Sequence, residues 1–146
     1  MLRINKLTDY AILISGEMAK IPDVVHSASM LKDTLHLSLP TVSKILKLLA
    51  EASLVQSVRG AKGGYRLKEA PEKITLLQIM SAIEGPLSLT ECCHEHTRCA
   101  VSKHCVMKAN WFKLNHHIIQ LFERIRLCDM IKPLSLNDWV VARQTV

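Results

Sequence analysis

A chain of 146 residues is of one-domain length, and 49% hydrophobic residues give it enough material for a real core. Aromatics are only 4% and do not interleave with the basic residues, which excludes a single-strand binder built on stacking platforms. The net charge is +6, and the apolar runs are too short and interrupted to span a bilayer.

The N-terminal stretch carries Asp9 and Glu17 and no cleavage site, so a soluble, cytoplasmic protein is expected. Leu7, Tyr10, Ala11, Ile14, Met18 and Ile21 recur at helical spacing and predict a first helix over 7–21, with Thr8 as its N-cap. Pro22 ends it. A short second helix starts near Ser27 and buries Ala28, Leu31 and Leu35. Leu37 falls in a tight turn. Ser38 then caps a third helix, with Pro40 in the first turn, where its missing N–H costs little.

In that third helix Val42, Ile45, Leu46 and Leu49 form one apolar stripe, and Thr41, Ser43, Lys44 and Lys47 lie off it. Short hydroxyls and long basic chains on the N-terminal half suit a recognition helix, which reaches base edges and phosphates from there. An ordinary amphipathic surface helix looks the same in isolation. Two short strands follow, at 55–58 and 65–68, joined by Arg59-Gly60-Ala61-Lys62-Gly63-Gly64. Helix, helix, basic helix and basic hairpin is the order of a winged helix-turn-helix. A phosphate-cradling loop is the weaker reading, because the GxxxxGK[ST] pattern and a following helix are missing.

From Pro40 to Lys68 six basic residues (Lys44, Lys47, Arg59, Lys62, Arg66, Lys68) stand against Glu51 alone. That excess points to a polyanion such as nucleic acid, although a solvated basic face carries the same charge.

A fourth helix is predicted over 75–84, with Leu76, Leu77, Ile79, Met80 and Ile83 apolar and Gly85-Pro86 as its stop. Further on, Met107, Trp111, Leu114, Ile118, Leu121, Ile125 and Cys128 step by 4, 3, 4, 3, 4, 3. That is an a/d seam over about three heptads. A lone helix cannot bury it, and a second copy is the natural partner, with packing inside one chain as the alternative. A homodimer also suits two-fold symmetric operators. The tail over 132–146, with Trp139, is left unassigned.

Between these helices lies ECCHEHTRCAVSKHC, with Cys93-x5-Cys99-x5-Cys105. Clustered cysteines in a cytosolic chain bind metal or act in redox more often than they form structural disulfides. Soft sulfur ligands select iron–sulfur clusters, zinc or copper(I). Zinc sites usually contain close C-x2-C pairs, and none occurs here, although spacing alone does not exclude zinc. Cys92, His94, His96 and His104 are local candidates for a fourth ligand, while Cys128 reads as packing. The sequence holds no nucleophile–base pair or cofactor fingerprint, so neither an enzyme nor a small-molecule substrate is expected. A small iron–sulfur redox protein and a zinc-stabilised DNA-binding protein are the rival readings.

The segments KLTDYA, LPTVSKILKLLAEASLV, RGAKGGYRL and EGPLSLTEC, with the three spaced cysteines, occur in an order that resembles the Rrf2 family of winged-helix regulators, including its IscR and NsrR types. The resemblance covers residues 1 to about 131. It implies a mainly α fold: a winged helix-turn-helix over 1–84, a cluster-binding loop over 85–105, a dimerisation helix over 106–131 and a tail over 132–146. It also implies an iron–sulfur-dependent DNA-binding regulator acting on a palindromic operator, a repressor of iron–sulfur assembly (SUF) genes. A nitric oxide- or redox-sensing regulator of the same family is the alternative.

Cys93, Cys99 and Cys105 would ligate the cluster. The third helix, presenting Ser38, Thr41, Ser43 and Lys44, would enter the major groove; the wing, with Arg59, would reach the minor groove. Lys47 and Lys62 complete the expected basic contacts. One departure concerns the fourth ligand. The IscR type has a histidine three residues after its last cysteine, where this chain has Lys108, and a protonated ammonium cannot ligate. In NsrR-like members an aspartate of the other subunit completes a four-iron cluster, and Asp9 matches it. A four-iron cluster is therefore preferred to a two-iron one. Alternatively, Asp9 only favours its helix N-terminus through the dipole.

Overall fold

A computed structural model describes residues 4–94, 99–101 and 104–133. His96 and Trp139, with the tail from 134 onward, lie outside the described residues.

Asn5 begins the first helix, α1 (Lys6–Ala19), by accepting a hydrogen bond from the Leu7 N–H at 3.1 Å. The expected cap, Thr8, is instead fully buried in the first turn, and its hydroxyl donates to Glu84. Asn is at least as good a cap and stands earlier, which frees Thr8 to tie α1 to a later helix. Ser27 caps α2 (Ala28–Leu35) through the Met30 N–H, and His36 closes it in the left-handed region at φ 53°. Ser38 caps α3 (Leu39–Glu51), with Pro40 in the first turn as expected.

The predicted stripe on α3 is the centre of the core: Val42, Ile45, Leu46 and Leu49 are all fully buried. They pack with Ile14 and Met18 of α1, Leu31 of α2 and Ile79 of α4 (Leu76–Glu84). Thr75 and Gln78 form a reciprocal capping box at the start of α4, each side chain accepting from the other's backbone N–H.

The wing is an antiparallel pair, β1 (Val55–Val58) with β2 (Gly64–Leu67), in the register Val55–Leu67 through Val58–Gly64. β2 starts one residue earlier than predicted, and Gly64 explains why. A Cβ there would lie 2.4 Å from the His26 carbonyl oxygen, so only glycine lets the 26–27 segment approach. That approach permits His26 N–H to Tyr65 O at 2.7 Å and Tyr65 N–H to His26 O at 2.9 Å. The wing is thereby stitched to the loop before α2.

The long helix is shorter than the heptad pattern predicts. α5 (Lys108–Arg124) ends where Ile125 turns extended, at φ −73° and ψ 123°. The chain then pairs with the approach to α4, through Leu76 N–H to Ile125 O and Leu127 N–H to Ile74 O, both at 2.8 Å. A short helix, α6 (Leu127–Met130), follows. Leu127, off the predicted seam, is fully buried in the winged-helix core. Burial of that side chain and two backbone bonds outweigh one more helical turn. Ile125 and Cys128 accordingly leave the seam. No helix among the described residues is long and apolar enough to cross a membrane.

Candidate functional site

Two groups of residues carry chemistry, one on the winged helix and one on the loop before α5. On the first, burial of the α3 stripe turns Ser43, Lys44 and Lys47 outward, all exposed. Ser38 Oγ accepts from the Thr41 N–H at 3.3 Å and lies 2.7 Å from Thr41 Oγ1, so both hydroxyls are held at the helix N-terminus. The α3 N-terminus also presents backbone N–H groups and a positive dipole end, favourable to a phosphate. Leu39, 44% exposed beside them, is an apolar element on this face that sequence reasoning missed. Its spacing, three residues before Val42 and seven before Leu46, groups it with the apolar stripe, so nothing in the sequence marks it as exposed.

Arg59, Gly60, Ala61 and Lys62 form the exposed tip of the wing. Gly60 takes φ 122°, which an L side chain rarely adopts, and it accepts from the Gly63 N–H at 2.9 Å to close the turn. Among the described residues no carboxylate pairs with Lys44, Arg59 or Lys62. Lys47 stands 4.0 Å from Glu51 with both side chains well exposed, a pair that solvent screens. The face therefore keeps its positive charge available to an anion.

The second group begins in a 3-10 turn, Glu91–Cys93. All five cysteines are free thiols and half-buried. Among the described residues, no three His, Cys, Asp or Glu side chains are already gathered as a metal site, so Cys93, Cys99 and Cys105 are not converged. The donor chemistry nevertheless fits an iron–sulfur cluster: three thiols within one loop segment are soft ligands, and Thr90 Oγ1 donates to Cys93 Sγ at 3.3 Å. Cys93 and His94 line a groove with Leu77, Pro86 and Ile119, between α4 and α5. The loop is tied to α5 by Asn115, whose Oδ1 accepts from the Leu89 N–H at 2.9 Å. Sequence reasoning missed Asn115, because it sits off the a/d seam and is polar.

Asp9 is exposed and lines a different groove, with Leu13, Met130 and Ile131. It is not brought to the thiols of its own chain. Cys128 is apart too, on α6 beside Asp129. Burial pushes its thiol up, with Asp129 and Glu72 adding to the effect. That shift disfavours the thiolate, the form that binds a metal.

α5 has no buried residue along its whole length. Of the seam positions, Met107, Trp111, Leu114 and Leu121 are 56%, 39%, 51% and 42% exposed, while Ile118 is half-buried.

Residues 4–133 match the family described as Rrf2, iron-dependent transcriptional regulator. The HTH-type transcriptional regulator BadM of Rhodopseudomonas palustris is 37% identical over 101 residues, covering 66% of this chain and 65% of that protein, just under two thirds of its length. NsrR of Bacillus licheniformis, also named an HTH-type transcriptional regulator, is 27% identical over 139 residues, covering 89% of this chain and 92% of its own. The structure of CymR (YrzC), the global cysteine regulator of B. subtilis, superposes with a TM-score of 0.73 at 28% identity, over 92% of this chain and all of that one.

Proposed function

Because the chain belongs to the Rrf2 family of iron-dependent transcriptional regulators, we propose that it is a homodimeric repressor whose affinity for a palindromic operator depends on an iron–sulfur cluster. The observation that carries this reading is one chain holding both a basic face on a winged helix, where Lys44, Arg59 and Lys62 have no carboxylate partner among the described residues, and a thiol loop tethered to a helix with no buried residue. The finer assignment, repression of iron–sulfur assembly (SUF) genes, rests on the sequence resemblance.

In this reading Ser38, Thr41, Ser43, Lys44 and Lys47 meet the major groove, and Arg59 and Lys62 meet the backbone and minor groove. Arg59→Ala should weaken binding to all sequences alike. It should also reduce the slope of log affinity against log salt by about one. A titration with unchanged affinity and slope removes Arg59 from the interface.

The seam of α5 packs on the same helix of a second copy. Leu114→Asp would then place a charge in the dimer interface. We expect the dimer dissociation constant to rise at least about 30-fold, equivalent to ~2 kcal/mol, with far-UV dichroism unchanged. Sedimentation that still finds a full dimer puts the interface elsewhere.

Cys93, Cys99 and Cys105 would hold the cluster, with the partner subunit's Asp9 as fourth ligand in a four-iron site. A cluster with a carboxylate among its ligands supplies a centre more readily lost to oxidants or iron scarcity than an all-thiolate one. The chain's own residues carry the consequence. Asn115 couples the loop to α5, and the Ile125–Leu127 return couples α5 to the winged core. Drawing the three thiols together therefore biases where the two recognition helices stand. The operator then selects the geometry it binds more tightly.

The test is a visible spectrum with iron, sulfide and zinc analysis on anaerobically purified protein. A brown protein with iron and sulfide supports the reading, and the iron count chooses between cluster types. A colourless, zinc-loaded protein that resists reconstitution leaves a DNA-binding protein without this sensor.

A further inference from the structure

Thr90 stands between two sulfurs. Its hydroxyl oxygen lies 3.3 Å from Cys93 Sγ, to which it donates, and 3.1 Å from Cys92 Sγ. A hydroxyl has a single proton. With that proton directed to Cys93, the second contact is the Cys92 S–H donating to the Thr90 oxygen. The adjacent cysteines are thereby made unequal: Cys92 is a donor thiol, and Cys93 is an acceptor.

The backbone sets this arrangement. Thr90 is extended, at φ −142° and ψ 157°, and its carbonyl accepts from the Cys93 N–H at 2.9 Å to start the 3-10 turn. One residue earlier, Asn115 fixes Leu89 to α5. The hydroxyl is thus held over Cys93 by two hydrogen bonds, one between backbone groups and one to the Asn115 side chain, that do not involve either sulfur. Both contacts are partly buried, where a hydrogen bond to sulfur acts more strongly than in water.

We propose that Thr90 is a positioning residue: it selects the sulfur of Cys93, rather than that of Cys92, for the metal, and its O–H···S bond tunes how easily the bound cluster is reduced and lost. This rests on the iron–sulfur reading above. Cys92 Sγ is engaged as a donor to the Thr90 oxygen, whereas Cys93 Sγ only accepts and keeps a lone pair free for a metal while the O–H···S bond stays in place. Hydrogen bonds to ligating sulfurs are one of the levers that set cluster potential, and a donor raises the potential by favouring the more negative, reduced state.

The test compares full-length wild type, Thr90→Val, Thr90→Ser and Cys92→Ser after anaerobic reconstitution. The readouts are iron and sulfide content, the visible spectrum, redox titration and the rate of bleaching by an iron chelator. Thr90→Val keeps the shape and removes the O–H. Its midpoint is expected to move to a more negative potential; a tenfold change in preference for the reduced state is about 59 mV for a one-electron couple. Bleaching should be several-fold faster. Thr90→Ser should restore both, and Cys92→Ser should keep the wild-type iron count and spectrum. Thr90→Ala repeats the experiment without the methyl groups of valine, should valine disturb the turn.

Wild-type potential and bleaching in both Thr90→Val and Thr90→Ala overturn the role of Thr90 while leaving the cluster reading intact. Loss of iron in Cys92→Ser overturns the selection of Cys93. A wild-type protein that takes up no iron and sulfide overturns the cluster reading, and this inference with it.

Discussion

Replacing Cys99 with alanine should abolish the visible chromophore while leaving a folded dimer. Cys99 is a half-buried thiol in a loop and contributes nothing to the hydrophobic core. Its loss therefore removes a ligand without opening a cavity. With two of three thiols left, the loop has no defined way to hold a cluster, and the expected iron content falls to the level of an untreated apoprotein. Operator affinity should move with it, by a factor in the range of about 5–150 that typical coupling free energies give. The check is absorbance and iron analysis beside circular dichroism and sedimentation. Retained colour removes Cys99 from the ligand set. An unfolded variant makes the cluster a structural element rather than a regulatory one.

The second large effect concerns α6. Leu127→Ala should cost about 2–5 kcal/mol of stability, the range for emptying a fully buried leucine site. Leu127 belongs to the same core as Ile14, Leu46 and Ile79, although it follows α5 in sequence. The variant should show a lower urea midpoint. It should also lose protection of the Leu127 amide, which donates to Ile74 O. A cost below about 1 kcal/mol would mean that this segment does not dock on the winged core, and that α5 continues as the heptad pattern predicts.

The contrast between α3 and α5 shows what the sequence makes legible. On α3 a local cap, a proline in the first turn and a four-residue apolar stripe all favour the same helix, and the structure buries that stripe completely. The wing was legible for a similar reason, because the glycines of its turn answer a local backbone demand. Only the close approach of Gly64 to His26 shifted its start, and that is a contact between residues far apart in the chain.

On α5 the seven-residue pattern ran across a break that no proline or glycine marks. Pairing of 125–127 with 74–76 overrides the helical preference there, and pairing across that separation leaves no periodic trace. Thr8 is a related case. A hydroxyl near a helix start reads as a cap, but its actual partner, Glu84, lies on another helix.

The candidate site divides in the same way. The thiols and the basic residues were legible from residue type and spacing alone. Thr90 and Asn115, which hold the loop, were not, because their roles depend on which atoms the fold brings beside them. Asp9 shows the remaining gap. It is exposed and lines a groove with Leu13, Met130 and Ile131 rather than with Cys93, so its proposed role belongs to the assembled dimer rather than to one copy.

The most direct test of the account is one pair of binding titrations at a fixed salt concentration. Operator fragments selected from random DNA by the cluster-loaded protein are titrated with that protein and with its apo form, both kept anaerobic. The account predicts that both remain dimers and that their affinities differ by a factor of about 5–150. Equal affinities, in a protein shown to carry iron and sulfide, would contradict it: DNA binding would then stand without any dependence on the cluster.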